Sequence, residues 1–272
     1  MVRELSSIEG YEEYIVKVNS DPDFHHPLLA MNENITAYLA KAVDKPKDYV
    51  FGVFDNKIIG LFAFLIIDEE KYIELIAAVS RTKEAYEEIF DYLESAYPGF
   101  QADFVYNPKN TLLVNLLKQK GASFFTEQQK MNLTDRNLAI DTEGIEWLSE
   151  EYRSGYLAMH SRDMYWMGER IMEAPDRFNT FVGLEGKEVV GYLDITNDHE
   201  ENEIFDVLVR EDFRQRGWGR KLLTKAIEEN RPKKMILTVD VDNIPAIRLY
   251  ESMGFAREDG QNSQTATWKI GE

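Results

Sequence analysis

Apolar runs broken by short polar turns fill "DYVFGVFDNKIIGLFAFLIIDEEKYIELIAAVS" (48–80), which reads as strand, turn, strand, turn, strand. The same plan returns in "NTFVGLEGKEVVGYLDITNDHEENEIFDVLVR" (179–210). Asp55-Asn56 and Glu185-Gly186-Lys187 supply the turn chemistry, and Gly60 and Gly191 fall at matching points after it. A helical pattern follows each block, over 81–99 and 216–230, then a strand, "FQADFVY" (100–106) or "KMILTVD" (234–240). Next come a second helix, 110–122 or 244–254, and a last strand region, with Gly121 and Gly254 ending those helices as C-terminal caps.

The repeat predicts an α/β protein of two tandem domains, residues 1–135 and 136–272. They join near "TDRNLAID" (134–141), which is polar and lacks periodicity, and each opens on mostly helical sequence, 3–42 and 143–173. The pattern leaves open one alternative, a single mixed sheet running through the whole chain.

Composition narrows the class of function. Hydrophobic residues make up 44% of the 272, enough for a full core, and no apolar run approaches the roughly 18 residues of a membrane span. The opening "MVRELSSIEGYEEY" reads as structure rather than as a secretion signal. The chain has no cysteine, so disulfides, thiolate metal sites and a cysteine nucleophile are excluded, and a cytoplasmic location is expected. A net charge of −18, shared evenly by the two halves, opposes binding to nucleic acid or anionic membrane. Against that background nine basic residues and four acidic ones lie between Arg210 and Lys234, an island suited to an anion. Solvated charge along a helix explains such an island equally well.

The island contains the sharpest difference between the halves. After "IAAVS" the first copy runs directly into helix, whereas after "DVLV" the second inserts "REDFRQRGWG". Glycines there permit positive φ and close approach to backbone, and a helix N-terminus offers free N–H groups and the positive end of its dipole. Together these make a diphosphate cradle, with arginines for further oxygens. A P-loop needs Gly-Lys-Ser/Thr, which "GWGRKLLT" lacks. A dinucleotide fingerprint would put its third glycine at Leu222, and antiparallel strands before Val207 do not suit it, although Asp240 does.

"VLVREDFRQRGWGRKLL" with "DNIPAIRLYESMGF" resembles the GCN5-related N-acetyltransferase family. Arg214, Gly217 and Gly219 match its Arg/Gln-x-x-Gly-x-Gly/Ala signature. Asn243, Leu249-Tyr250 and Gly254-Phe255 match its second one. The resemblance covers about residues 179–270 and implies a tandem member whose N-terminal copy is degenerate and lacks the diphosphate loop. Each domain is then expected to hold a mixed, mostly antiparallel central sheet flanked by helices.

The resemblance further implies acetyl-coenzyme A as acyl donor, no metal, and direct attack by a primary amine of a small molecule or peptide. Backbone N–H groups of Gln215, Arg216, Gly217, Trp218, Gly219 and Arg220 would hold the diphosphate, with ionic help from Arg214, Arg216 or Arg220. Packing against the sheet is the simpler role for Trp218. The strand carrying Val207, Leu208 and Val209 would splay from its parallel neighbour and offer main-chain groups to the pantetheine arm and thioester. Tyr250 would protonate the leaving thiolate. Asn243 would cap its helix and touch the coenzyme, and Pro245 suits a first helical turn.

Glu203 stands where the histone-acetylating branch has its basic glutamate, and a plain solvated residue is the competing reading. Thr238 stands where other members carry a glutamate, and Asp194 and Asp206 are further carboxylates. "YLAMHSRDMYWMGERI" (156–171), with His160, Tyr165 and Trp166, is either core or a wall of the acceptor pocket. His25 and His26 make a poor ligand set, and His199 reads as exposed. An acyl-coenzyme A sensor without turnover is the alternative function. A monomer or homodimer is expected.

Overall fold

The computed structural model describes residues 1–27, 29, 31–136, 141–160, 166–197 and 201–271, which form two compact units, each with its own seven-stranded sheet. No helix among them is long and apolar enough to cross a membrane.

The first unit comprises Met1–Gln128 and Asp259–Glu272. Its strands are β1 (Val2–Glu4), β2 (Asp48–Asp55), β3 (Lys57–Ile67), β4 (Tyr72–Ser80), β5 (Gln101–Tyr106), β6 (Ser123–Phe124) and, from the far end of the chain, β14 (Gln264–Lys269). They lie in the order β1-β2-β3-β4-β5-β14-β6, antiparallel except for β4 beside β5. Alternation in β3 sends Phe62, Phe64 and Ile66 to one face and Leu61 and Ala63 to the other. The first set packs beneath α3 (Lys83–Ala96) and α4 (Thr111–Gln119); the second packs beneath α1 (Glu12–Asn19) and α2 (Asn32–Ala42). Thr82 caps α3 by accepting from Ala85 N at 3.4 Å.

The second unit spans Gln129–Glu258. Its strands are β7 (Gln128–Leu133), β8 (Ile145–Trp147), β9 (Phe178–Glu185), β10 (Glu188–Thr196), β11 (Glu201–Val209), β12 (Lys234–Asp240) and β13 (Phe255–Arg257), in the order β13-β7-β12-β11-β10-β9-β8. One face carries α7 (Trp218–Glu229) and α8 (Ile244–Ser252), whose Leu222, Leu223, Ile227 and Ile247 share a core with Leu193, Ile204 and Leu237 of the strands. On the other, α5 (Arg153–Met159) packs with Val182, Val189 and Tyr192, and the short α6 (Gly168–Met172) adds Met172 to that cluster. Met253 and Gly254 end α8, Gly254 in the left-handed region (φ +86°), as Gly121 (φ +75°) does after α4.

The repeated strand and helix order is the one expected. The division differs from the expected break at 135/136: β7, before that break, belongs to the second sheet, and β14, after it, belongs to the first. Packing gives the reason. Trp268 on β14 stacks on Phe90 at 5.0 Å and lies 6.5 Å from Phe104, both in the first core, whereas the fully buried Met131 of β7 belongs to the second core. The helical openings of both halves also begin with short strands, β1 and β8, pairing with β2 and β9.

Candidate active site

The parallel pairing of β11 with β12 runs from Glu201↔Lys234 to Ile204↔Leu237 and stops, although both strands continue. Against β10, β11 stays paired to Gly191↔Val209. Arg210 N donates to Val190 O at 2.9 Å, so in this antiparallel register Leu208 and Asp206 also bond toward β10. Val207 and Val209 therefore turn their main-chain groups toward the opening. The expected splay is present, and Leu208 is the one of the three whose backbone faces away from it.

At the end of this opening α7 begins without a side-chain cap. Gly217 is its N-cap at φ +89°, and Gln215 before it has φ +61°. The first helical bond is Lys221 N to Gly217 O at 3.1 Å; among the described residues no backbone acceptor meets the N–H groups of Gln215 through Arg220. Six successive free amides at a helix mouth form an anion cradle. A Cβ on Gly217 would meet nothing within 4 Å, so space remains in front of the amides, whereas Gly219 lets α7 approach Leu249.

Much of the basic island is already neutralised. Arg210 pairs with Asp212 and Glu188, Lys221 with Asp141, and Lys225 with Glu229. Among the described residues, Arg214, Arg216 and Arg220 have no ion-pair partner and stay exposed, Arg214 with its Nε on Val209 O at 3.1 Å and Arg216 over the Phe213 ring. Trp218 is buried against Gly144 and Gly183, as packing predicts.

On the other side of the opening, Asn243 caps α8 by accepting from Ala246 N at 3.2 Å, and Pro245 lies in its first turn. Tyr250 is buried, 6.0 Å from the Phe255 ring, and no hydrogen-bond partner falls to its hydroxyl among the described residues. Burial, with the Asp206 charge adding to it, pushes its phenol up to about 12. Tyr250 thus keeps its proton at neutral pH.

The α5 face of β11 carries the carboxylates. Glu203 lies in the closed part, paired with Ile236; its carboxylate accepts from Thr238 Oγ1 at 3.3 Å and is raised by burial. Between Ile204 and Asp206 the register slips by one residue, a bulge that puts Phe205 and Asp206 on this same face. Phe205 meets Phe178 (5.6 Å), which meets Trp166 (5.0 Å). Asp206 Oδ2 accepts from the Tyr192 hydroxyl at 2.6 Å.

Beside it sits a network that spacing gave no sign of. Fully buried Asp194 accepts from Thr180 (2.5 Å) and Tyr156 (3.0 Å), and His160 Nε2 lies 3.2 Å from Asp194 Oδ2 and 3.8 Å from Asp206 Oδ2. His160 stacks on Tyr192 at 5.1 Å. Burial holds the Asp194 carboxyl above the ordinary carboxylate range, against the opposing pull of His160 and Thr180. The ligand atoms of His160, Asp194 and Asp206 lie within 4.8 Å of one another, but the protein's own donors already bond both carboxylates, which suits a hydrogen-bonded network better than a cation. The three residues come from the C-cap of α5, from β10 and from β11, so only the fold unites them. In the first unit His25 and His26 are buried, with Asn107 Nδ2 at 3.3 Å from His25 and Leu29 N donating to His26, and neither joins a metal-ligating cluster of described residues. Tyr165 and His199 lie outside the described residues.

Residues 142–255 match the model of the acetyltransferase (GNAT) family. Over 57 residues, 20% of this chain, the sequence is 42% identical to a mycothiol acetyltransferase of Corynebacterium aurimucosum, of whose length the match spans only 19%. The fold is similar to that of a GCN5-related N-acetyltransferase from Sphaerobacter thermophilus (TM-score 0.64, 14% identity, 99% of this chain and 95% of that one). It is also similar to a tandem GNAT protein from the clavulanic acid biosynthesis pathway (TM-score 0.57, 12% identity, 100% and 99%). The family match falls on the second unit, where the free amides lie beside the open strands, and that unit is similar to the GNAT acetyltransferases.

Proposed function

We propose that the second unit transfers an acetyl group from acetyl-coenzyme A to a primary amine by direct attack. The observation that carries this reading is the run of six acceptor-free amides, Gln215 to Arg220, beside the opening between β11 and β12. The amides, with Arg214, Arg216 and Arg220, would hold the donor's diphosphate. The main-chain groups of Val207 and Val209 would bond the pantetheine arm and the thioester oxygen, where donors are worth most as charge develops. The donor supplies an activated acyl carbon and a thiol leaving group.

Tyr250 supports turnover over mere binding. A buried phenol that keeps its proton at neutral pH is suited to protonating a departing thiolate, a task a sensor does not need. The attacking amine must in turn lose a proton, and the α5 face of β11 offers two carboxylates for it, Glu203 and Asp206. The first unit, whose corresponding helix is capped by Thr82 and has no glycine loop, would not bind donor.

Following thiol release from acetyl-coenzyme A with a panel of primary amines tests this reading. Turnover with at least one amine supports it. Saturable coenzyme binding with no release for any amine favours the sensor.

A further inference from the structure

Asp206 and Glu203 differ in what surrounds them. Glu203 precedes the opening, in the stretch still paired with β12, and has the Thr238 hydroxyl on its carboxylate. Asp206 lies just beyond the last β11–β12 pair, immediately before Val207, and its charge is felt by the Tyr250 phenol across the sheet. Its side chain is one quarter exposed, whereas His160 and Asp194 behind it are closed off from solvent.

Four groups fix it. Tyr192 donates to Oδ2 from β10, and the His160 ring, stacked on Tyr192, faces the same oxygen at 3.8 Å. Asp194 holds the His160 ring from behind, and Tyr156 and Thr180 hold Asp194. A chain of buried donors that ends on one partly exposed carboxylate oxygen orients that carboxylate. The bulge adds a second feature: it sets the Phe205 ring next to Asp206 on the same face, continued by Phe178 and Trp166.

We propose that Asp206, rather than Glu203, receives the proton of the acceptor, and that the acceptor is an alkyl- or arylalkylammonium whose carbon body lies against Phe205. The proposal rests on the transferase reading above. The docked ammonium gives one N–H proton to the Asp206 carboxylate, and the freed lone pair forms the C–N bond to the acyl carbon as the C–S bond breaks. The thiolate takes the Tyr250 proton, and the second N–H proton leaves the new amide nitrogen to restore the phenol. His160 and Tyr192 are positioning residues, and Asp194 acts through His160.

The test compares wild type, Asp206→Asn and Glu203→Gln with two acceptors: phenethylamine, an ammonium at neutral pH, and methoxyamine, already neutral there. Asp206→Asn should lower kcat/KM for phenethylamine at least 100-fold, lower that for methoxyamine less than 10-fold, and leave the coenzyme Kd unchanged. Glu203→Gln should treat both acceptors alike. Tyr192→Phe, which keeps the ring and loses the donor, should raise the phenethylamine KM severalfold with the coenzyme Kd unchanged. An equal loss for both acceptors in Asp206→Asn overturns the proposal, as does a selective loss in Glu203→Gln; the transferase reading survives either result. Absence of thiol release from wild type with every amine overturns both.

Discussion

The indole of Trp218 lies on the bare backbone of Gly183, so close that a Cβ on that glycine would stand 3.1 Å from the indole Cε3. The first residue of α7 is thereby fixed to the middle of β9. Trp218→Ala should cost roughly 3–5 kcal/mol of unfolding free energy, the range for emptying a large aromatic site. Because it also frees the start of α7, coenzyme affinity should fall with it. Urea unfolding and calorimetric titration of the same preparation check both.

Gly217→Ala separates backbone conformation from packing. At φ +89° an L side chain is strained, yet nothing lies within 4 Å of its Cβ, so the expected stability loss is only about 1–2 kcal/mol. The methyl group would enter the space before the free amides. Coenzyme Kd should rise more than tenfold while the circular dichroism spectrum is retained; an unchanged Kd would contradict the cradle.

Tyr250→Phe removes the proposed acid and keeps the ring beside Phe255. The expected result is a fall in kcat of about 100-fold or more, typical of losing a general acid, with coenzyme Kd unchanged. Single-turnover thiol release reads it directly.

Burial raises the Glu203 carboxyl above its unfolded value, so the native state holds its proton to higher pH than the unfolded chain does. The stability associated with that proton is complete below the ordinary carboxylate range and is lost as pH rises through the raised one. The difference in unfolding free energy, wild type minus Glu203→Gln, should therefore decline from acid to neutral pH. Urea midpoints taken at intervals from the ordinary glutamate range upward to neutral pH give the sign.

Trp268→Ala should unfold the first unit selectively. Its indole stacks on Phe90 in that core, and its loss should cost roughly 3–5 kcal/mol there. Coenzyme titration should stay at the wild-type value, since every proposed donor contact lies in the second unit.

The proposed donor side of the site was legible because its residues are neighbours in the chain. Arg214, Gly217 and Gly219 fall within six residues, and each demand, a positive φ or close backbone approach, has a residue type that answers it. Asn243 and Gly254 were readable for the same reason, as a cap and a helix stop. The proposed acceptor side depended on contacts between elements. His160 lies 34 residues before Asp194, and a change of strand and a bulge separate Asp194 from Asp206; nothing local to any of them foretells the others. The repeat implies a last strand region after the second helix but is blind to which sheet it joins; Trp268, by its fit against Phe90, decides that. The boundary at 135/136 differs from the observed one for that reason at β14 and, at β7, because Met131 packs into the second core.

That last strand has a consequence for the order of assembly. On the ribosome, β5 emerges early, but the neighbour it needs between itself and β6 is not made until residue 269. The whole of the second unit is synthesised in between. All the strands of the second sheet are therefore made before the first sheet has its closing strand, and until that strand arrives the first unit keeps an apolar edge and the Phe90–Phe104 surface uncovered.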